Sequence, residues 1–343
     1  MDRIRLVHRD HLSCEPILRR CPNGELVCVS QVGGLTEPAP ENRVVVFHSR
    51  DNGETWSKPF SIYPEDGRAV YATEVMLLDG VLYAFLTLHN GKFVEWQCTT
   101  MQSSDNGYTW QDIGIWPGLP NYTFTRGMIR LKNGNILIPY QHYPVSEEEN
   151  ARLVLENQGV IQARIDHVES GVLLSSDNGK TYFRHRGVRI GLKGENQPNW
   201  AWTEPTVAEL SDGTLVMLLR VCKTGWLWRS VSRDGGATWS AAEPTDIPNP
   251  SNKPKLIAMP RGRIALIHTP NNQPVHGLAA RNPLAVWVSD DDMQTWGYKQ
   301  VISDFPGGFC YPDGICEGDG RHLLFTIEFS RFNIIFVDHE VDL

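Results

Sequence analysis

The chain has 343 residues, of which 41% are hydrophobic and 21% charged, and its formal net charge is -8 at pH 7. This composition is sufficient for a large core, and an acidic chain without a basic run is a poor binder of nucleic acid or of a membrane surface. The longest apolar runs, such as residues 214–219, have the length of a strand and are too short to cross a membrane as a helix.

The N-terminus and the cysteines bear on the compartment. Residues 1–16 carry charges throughout and lack the apolar segment of a signal peptide, so a cytoplasmic location is expected. The seven cysteines are scattered and form no C-x-x-C pair, which predicts reduced thiols rather than a disulfide framework or a zinc site. The histidines show no H-x-H or H-x-x-x-H spacing, so neither a metal nor another cofactor is predicted.

Six hairpin turns follow one another along the chain, each with Gly at its second position and apolar runs on both sides. They are Asn23-Gly24, Asp79-Gly80, Asn133-Gly134, Asp212-Gly213, Arg261-Gly262 and Asp319-Gly320. The flanking runs have the length and composition of paired strands, for example residues 206–210 with 215–219. A hairpin therefore recurs about every 50–80 residues.

A second motif, S-x-D-x-G-x-T-W, follows each of the first five hairpins, and we term each copy a box. The boxes are residues 49–56, 103–110, 175–182, 232–239 and 289–296. Their Gly and Asn residues tolerate the positive φ of a tight turn, and their Ser and Asp side chains can bond to the backbone amides of the turn. The closing Trp, or Tyr182 in the third copy, is expected to pack against the sheet of its own unit.

The hairpins and the boxes alternate along the chain, and this alternation predicts an all-β fold. We expect a six-bladed β-propeller in which each box joins the outer two strands of a four-stranded blade. The sixth unit has no box, so the N-terminal run 4–8 is expected to complete the last blade, and residues 1–343 are expected to form one domain. Only residues 146–157 have a helical pattern, with Ser146 as N-cap. This pattern predicts a helical insertion at residues 144–160 on one face.

Polar residues at the starts and ends of inner strands are candidate site residues, because these strands converge on the central channel of a propeller. Glu204 follows Trp202 at the start of one such strand, and Arg220 ends its partner strand. Arg281 precedes the fifth box, and Tyr311 lies shortly before the last hairpin. Taken singly, each has an ordinary structural interpretation, as a strand aromatic, a turn carboxylate or a salt-bridge residue. Their joint placement favours one shared site.

The boxes and these four segments resemble the sialidase (neuraminidase) superfamily of six-bladed propellers. The resemblance implies that Tyr311 is a nucleophile and Glu204 its base. It also implies that Arg220 and Arg281 belong to a clamp on a substrate carboxylate, where a planar guanidinium gives paired bonds. The segment around Arg126 is similar to the third blade of the same family. A Tyr nucleophile suits sialic acids, because the carboxylate on their anomeric carbon would repel an anionic one.

The resemblance places the general acid in a loop of the first blade, residues 33–42. Glu37 and Glu41 are the carboxylates available there. Glu37 is preferred because Glu41 lies closer to the following strand. The interpretation of Glu37 as an ordinary solvated loop carboxylate stays open beside the catalytic one.

One departure concerns the clamp. The family has a third Arg on the first inner strand, where this chain has Cys14, followed by Glu15 at a position facing the substrate. A carboxylate at Glu15 is expected to repel a substrate carboxylate. Arg19, Arg20 and Arg126 are the candidates to supply the missing cation.

The predicted function is an exo-acting glycoside hydrolase that releases a terminal sialic-acid-like sugar from a glycan or glycoconjugate by a retaining Tyr/Glu mechanism. One alternative keeps the pocket and changes the substrate to a neutral or uronic sugar, cleaved by hydrolysis or elimination. Another is a carbohydrate-binding propeller without catalytic activity. Trp202 is a candidate for stacking on a sugar ring, and Trp200, Trp226 and Trp228 are alternatives.

Overall fold

A computed structural model describes residues 2–192, 200–273 and 277–342. The predicted all-β fold is confirmed: six antiparallel sheets form the six blades of a β-propeller, and the described residues contain one α-helix. Within the described residues, no helix is long and apolar enough to span a membrane.

The blades follow one another along the chain, and each begins with its innermost strand. The first blade contains β2 (Ser13–Arg20), β3 (Leu26–Val32), β4 (Arg43–Ser49) and β5 (Phe60–Ser61). The second contains β6 (Ala69–Leu78), β7 (Val81–His89), β8 (Gln97–Ser103) and β9 (Gln111–Asp112). The third contains β10 (Thr123–Thr125), β11 (Ile129–Arg130), β12 (Ile136–His142), β13 (His167–Ser175) and β14 (Phe183–Gly191).

The remaining blades follow the same plan. The fourth contains β15 (Thr206–Glu209), β16 (Leu215–Arg220), β17 (Trp226–Ser232) and β18 (Glu243–Pro248). The fifth contains β19 (Lys255–Ala258), β20 (Ile264–His268), β21 (Leu284–Ser289) and β22 (Tyr298–Ser303). The sixth contains β23 (Phe309–Cys316), β24 (His322–Phe329), β25 (Asn333–Glu340) and, as its outermost strand, β1 (Arg3–Arg9).

The ring is closed by the pairing of the two chain ends. Strand β1 runs antiparallel to β25, with Ile4 opposite Val337 and Leu6 opposite Ile335. The innermost strands β2 and β23 of the first and sixth blades also contact each other. Residues from the two ends of the chain therefore meet on one side of the channel.

The boxes lie between the third and fourth strands of the first five blades, as predicted, and hydrogen bonds hold each turn. In the first box, Ser49 Oγ accepts a bond from Gly53 N at 2.8 Å, and Asp51 Oδ1 accepts one from Thr55 N at 2.9 Å. The other four boxes repeat both bonds. The hydroxyl and amide of Thr55 lower the pKa of Asp51 to about 2. These bonds explain why Ser, Asp and Thr recur at fixed spacing.

The expectation that each box packs against its own sheet is incomplete, because the boxes also contact the preceding blade. Trp56 of the first box packs against Phe336 of the sixth blade, with ring centroids 5.8 Å apart. A Cβ placed on Gly236 of the fourth box would lie 3.2 Å from Leu137 of the third blade. The apolar core likewise consists of layers between neighbouring blades. A box therefore fixes a turn and seals an interface between blades.

The helix α1 (Glu147–Leu155) lies in the connection between β12 and β13. Ser146 is its N-cap, and the Ser146 side chain accepts a hydrogen bond from Glu149 N at 3.1 Å. A 3-10 turn, Val160–Gln162, follows the helix and contacts the second blade, where Val160 N donates to Lys92 O at 3.2 Å. The insertion thus covers part of the face on which the inner strands begin.

Candidate active site

One pocket of about 260 Å³ lies at the end of the channel where the innermost strands begin. All eight residues singled out from the sequence line it: Glu15, Glu37, Arg126, Trp202, Glu204, Arg220, Arg281 and Tyr311. Glu41 instead lines a neighbouring cleft. The structure therefore brings the eight residues together and separates the two alternative acids.

Three of these residues share an unusual backbone conformation. Glu15, Glu204 and Tyr311 each precede a proline and have positive φ values of 48°, 37° and 55°. Glu15 and Tyr311 lie at bulges where the register of β2 and β23 shifts. Bulges re-aim side chains, and left-handed φ at non-glycine residues costs about 1–3 kcal/mol and concentrates at functional sites. The strain directs these three side chains into one pocket.

The fifth blade has a residue at the equivalent position, just before its innermost strand, that the sequence interpretation missed. Lys253 precedes Pro254 just before β19, as Glu204 precedes a proline just before β15. Lys253 is buried, its Nζ lies 3.7 Å from Glu15 Oε2, and burial lowers the pKa of this amine. A residue before proline at the start of an inner strand was the signal that could have identified it.

Glu15 is neutralised by its neighbours. Arg126 Nη1 donates to Glu15 Oε2 at 3.1 Å, and both side chains are 2% exposed. Burial alone would raise the pKa of Glu15, but Arg126, Lys253 and a hydrogen bond from Tyr71 outweigh it and lower that pKa. Glu15 therefore stays ionised, and its charge is compensated within the protein. The expected repulsion of a substrate carboxylate is offset by these two cations.

Glu204 and Tyr311 form the centre of the pocket with two arginines. Arg220 Nη1 lies 2.9 and 2.8 Å from the two carboxylate oxygens of Glu204. The guanidinium of Arg281 lies 5.5 Å from the centroid of the Tyr311 ring. Burial and the charge of Glu204 raise the pKa of Tyr311, while Arg281 and Arg220 oppose that rise. The phenol is therefore protonated in the free protein, and Glu204 lines the same pocket.

Two of the proposed replacements for the missing clamp arginine are engaged elsewhere. Arg19 pairs with Glu74 and Asp313, and Arg20 pairs with Glu317 at 2.7 Å. Neither arginine lines the pocket. The expectation that one of them takes the place of the missing arginine is wrong, because both belong to ion pairs further along β2.

The structure supplies a different arginine near Cys14. Arg331, in the turn between β24 and β25, lines the pocket and pairs with Glu37, while Cys14 Sγ lies 3.9 Å from the same Glu37 carboxylate. Arg331 Nη1 also lies 3.6 Å from Glu328 Oε1. The sequence carried a signal for Arg331. This residue follows the second strand of the sixth blade, and Arg220 lies at the end of the second strand of the fourth blade.

The loop that carries Glu37 is held by one buried side chain. Asn42 Nδ2 donates to Gly33 O at 2.7 Å and to Thr36 O at 3.0 Å, and Asn42 Oδ1 accepts from Ala39 N at 2.7 Å. These bonds close the loop on itself. Glu37 is thereby placed at the pocket by a fixed loop rather than by a strand.

Aromatic side chains line the pocket together with the charged ones. Tyr71, Phe93, Phe124 and Trp202 come from the second to fourth blades and their connections, and all four line the pocket. Phe93 and Phe124 both lie 6.2 Å from Trp202 between ring centroids. Arg126 lies over the Phe124 ring, with its guanidinium carbon 5.2 Å from the ring centroid, and Arg281 and Arg331 come from the fifth and sixth blades. Such a pocket suits a ligand with one apolar face and one anionic group.

No metal site accompanies this pocket in the part of the chain that the structure describes, where no group of three or more His, Cys, Asp or Glu side chains is placed to hold an ion. The lining of the pocket offers phenol, carboxylate and guanidinium groups.

Comparison with known proteins places the chain among related propellers. Residues 67–324 match the family model described as a BNR repeat-like domain. A sialidase of Clostridium perfringens is 26% identical over 293 residues, which cover 75% of this chain and 69% of the relative. The predicted resemblance to the sialidase superfamily is confirmed.

Two solved structures share the fold. A Hadza microbial sialidase superposes with a TM-score of 0.75 at 18% identity, over 98% of this chain and 68% of the other. A protein of unknown function from Dyadobacter fermentans superposes with a TM-score of 0.72 at 17% identity, over 99% of both chains.

Proposed function

The chain belongs to the BNR repeat-like domain family, and we propose that it is an exo-acting glycoside hydrolase that releases a terminal sialic-acid-like sugar from a glycan or glycoconjugate. One observation carries the proposal: the phenol of Tyr311, three carboxylates and four arginines line a single small pocket. Its volume of about 260 Å³ lies below the range of about 300–1,000 Å³ for drug-sized ligands. A pocket of this size suits one terminal sugar ring, hence exo-acting cleavage.

The charge of the lining residues supports an anionic sugar. The lining includes four guanidinium groups and three carboxylates: Arg126, Arg220, Arg281, Arg331, Glu15, Glu37 and Glu204. Guanidinium groups thus outnumber carboxylates in the lining, and unpaired buried charge is costly. The carboxylate of a sugar would pair with this excess of cations, with Arg220, Arg281 and Arg331 as the clamp.

In the first step, Tyr311 Oη attacks the anomeric carbon, the glycosidic C–O bond breaks, and the phenol proton passes to Glu204. Because the pKa of Tyr311 is raised, proton transfer is expected to accompany bond formation rather than precede it. Glu37 protonates the leaving oxygen. The products of this step are a free alcohol and a covalent aryl glycoside, in which the anomeric carbon is bonded to Tyr311 Oη.

In the second step, water attacks the anomeric carbon and the bond from that carbon to Tyr311 Oη breaks. The water gives one proton to Glu37, and Glu204 returns its proton to Tyr311 Oη. The sugar leaves with retained configuration, and both carboxyl groups regain their starting states. The pairing of Arg331 with Glu37 suggests a role for substrate binding. A substrate carboxylate competes for the guanidinium and leaves Glu37 free to carry the proton that the first step requires.

The test is Tyr311→Phe, which removes one hydroxyl and keeps the ring beneath Arg281. Turnover of methyl α-sialoside is expected to fall by at least about 10³-fold, with folding and sugar binding preserved. Tyr298→Phe is the matched control, because Tyr298 lies in the outer strand β22 and bonds to His339. Full activity of Tyr311→Phe would refute the tyrosine mechanism.

The acid is tested by a matched pair of carboxylates from the same loop. Glu37→Gln is expected to lower kcat by about 10²–10⁴-fold, and less for aryl glycosides, whose leaving groups need no proton. Glu41→Gln is expected to change kcat little, because Glu41 lies outside the pocket. The reverse result would transfer the acid role to Glu41.

A glycoside of a uronic acid is a second candidate substrate, because it carries the same single negative charge that the pocket would pair. Its carboxylate lies on C5 rather than on the anomeric carbon. A panel of sialosides, uronides and neutral glycosides, with products followed by NMR, separates these substrates and separates hydrolysis from elimination. Sialoside binding without turnover of any member would instead favour a carbohydrate-binding propeller.

A further inference from the structure

A second cleft of about 750 Å³ adjoins the candidate active site. Pro38, Phe93 and Trp202 line both the cleft and the pocket. The rest of the cleft wall comes from the Glu37 loop, from the connection after β7, from the 3-10 turn of the insertion and from His11. The cleft is therefore continuous with the pocket on the side of the proposed acid.

The wall of this cleft is mainly apolar. Besides the three shared residues, its apolar members include Leu35, Pro40, Val160 and Ile161. Leu35 and Ile161 are 77% and 53% exposed, although each has a large aliphatic side chain. Exposed apolar side chains grouped beside a pocket mark a binding surface more often than scattered ones do.

Two of the polar side chains of the cleft, Lys92 and Gln162, bond to the protein itself, while His11 and Glu41 also line the cleft. Lys92 Nζ donates to Asn157 O at 2.8 Å, and Gln162 Oε1 accepts from Gly159 N at 3.0 Å. A sugar bound there would bury hydroxyl groups against aliphatic carbon, and unpaired buried hydroxyls are costly. The cleft therefore favours hydrocarbon over carbohydrate.

The position of the acid indicates what enters the cleft. Glu37 and Pro38 are adjacent in the chain, so the group that receives a proton from Glu37 lies next to the cleft. The pocket itself has room for about one sugar ring. We propose that the cleft binds the leaving group and that this group is an apolar aglycone with a hydrocarbon surface, rather than a further sugar. This assignment rests on the proposed function and narrows its substrate class.

Two sialosides with leaving alcohols of similar acidity test the assignment: octyl α-sialoside and methyl α-sialoside. The wild type is expected to prefer the octyl compound by at least about tenfold in kcat/KM, since even one methylene in an apolar site is worth about tenfold or more. Leu35→Ser and Ile161→Ser are each expected to reduce this octyl-to-methyl ratio by about three- to tenfold. Leu155→Ser is the matched control: Leu155 lies on the same insertion, is 87% exposed and does not line the cleft.

A binding measurement separates failure of this inference from failure of the proposed function. The neutral fluorescent probe N-phenyl-1-naphthylamine needs no turnover, and its affinity is expected to fall in Leu35→Ser and Ile161→Ser but not in Leu155→Ser. This pattern without sialoside turnover would retain an apolar site and reject the glycosidase. Equal probe affinity in all variants, or an octyl preference below twofold in an active wild type, would overturn the inference.

Discussion

Replacing Arg331 tests the least expected feature of the pocket. If Arg331 completes the clamp in place of the arginine absent at Cys14, Arg331→Met removes one charged hydrogen bond to the substrate carboxylate. Such a bond contributes about 1.5–3 kcal/mol, which corresponds to a loss of about 10- to 140-fold in kcat/KM at about 1.4 kcal/mol for each factor of ten. The loss should appear mainly in KM.

The same substitution also leaves two carboxyl groups without their cation. Arg331 pairs with Glu37 and lies 3.6 Å from Glu328, and removing one member of a buried ion pair costs about 3–5 kcal/mol of stability. Arg331→Lys is therefore the companion variant, because it keeps the charge but loses the planar, two-pronged geometry. It is expected to fold like the wild type and to show a smaller loss of kcat/KM.

The assay compares methyl α-sialoside with its carboxyl methyl ester, which is the same sugar without the charge. Both Arg331 variants should lose activity on the acid selectively, so that the acid-to-ester ratio falls. Arg321→Met is the matched control, because Arg321 is 58% exposed and pairs with Glu340 away from the pocket. Equal losses on acid and ester would refute a clamp role for Arg331, since only a carboxylate contact distinguishes the two substrates.

Two further predictions concern stability. Gly53→Ala and Gly24→Ala both place Ala at a φ near +88°, but an added Cβ overlaps the Phe336 ring only at Gly53. Urea denaturation should therefore show Gly53→Ala to be less stable than Gly24→Ala by about 1–3 kcal/mol. Equal stabilities of the two variants would contradict a packed interface between the first and sixth blades at Gly53. Burial raises the pKa of Glu328 to about 7 from 4.5, so the folded state favours the protonated acid. The stabilisation that this protonation gives to the fold is fully present below pH 4.5 and is lost as the pH rises through 7. Glu328→Gln should lack this loss of roughly 3 kcal/mol between pH 4 and pH 8. Parallel stability profiles of variant and wild type would mean that Glu328 has the same pKa in the folded and unfolded chains, and would refute the raised pKa.

The local chemistry of the sequence was sufficient for the fold. A box is defined by bonds between residues at most four apart, such as Asp51 and Thr55, and a hairpin turn needs only a residue that tolerates positive φ. Both signals are readable from a short stretch of chain, and their alternation gives the number of blades. The phase of the same repeat also pointed to Glu204, Arg220 and Tyr311.

The pairing of charges needed the tertiary structure. Arg126 neutralises Glu15 across the channel, and Arg331 reaches the loop of Glu37 because closure of the ring places the sixth blade beside the first. Such partners are far apart in the sequence, and no local pattern records which of several arginines faces a given carboxylate. The sequence by itself determined a six-bladed propeller with a site at its inner strands. Only the folded ring decided which cations meet there, because contacts between blades depend on the direction of side chains at bulges and turns.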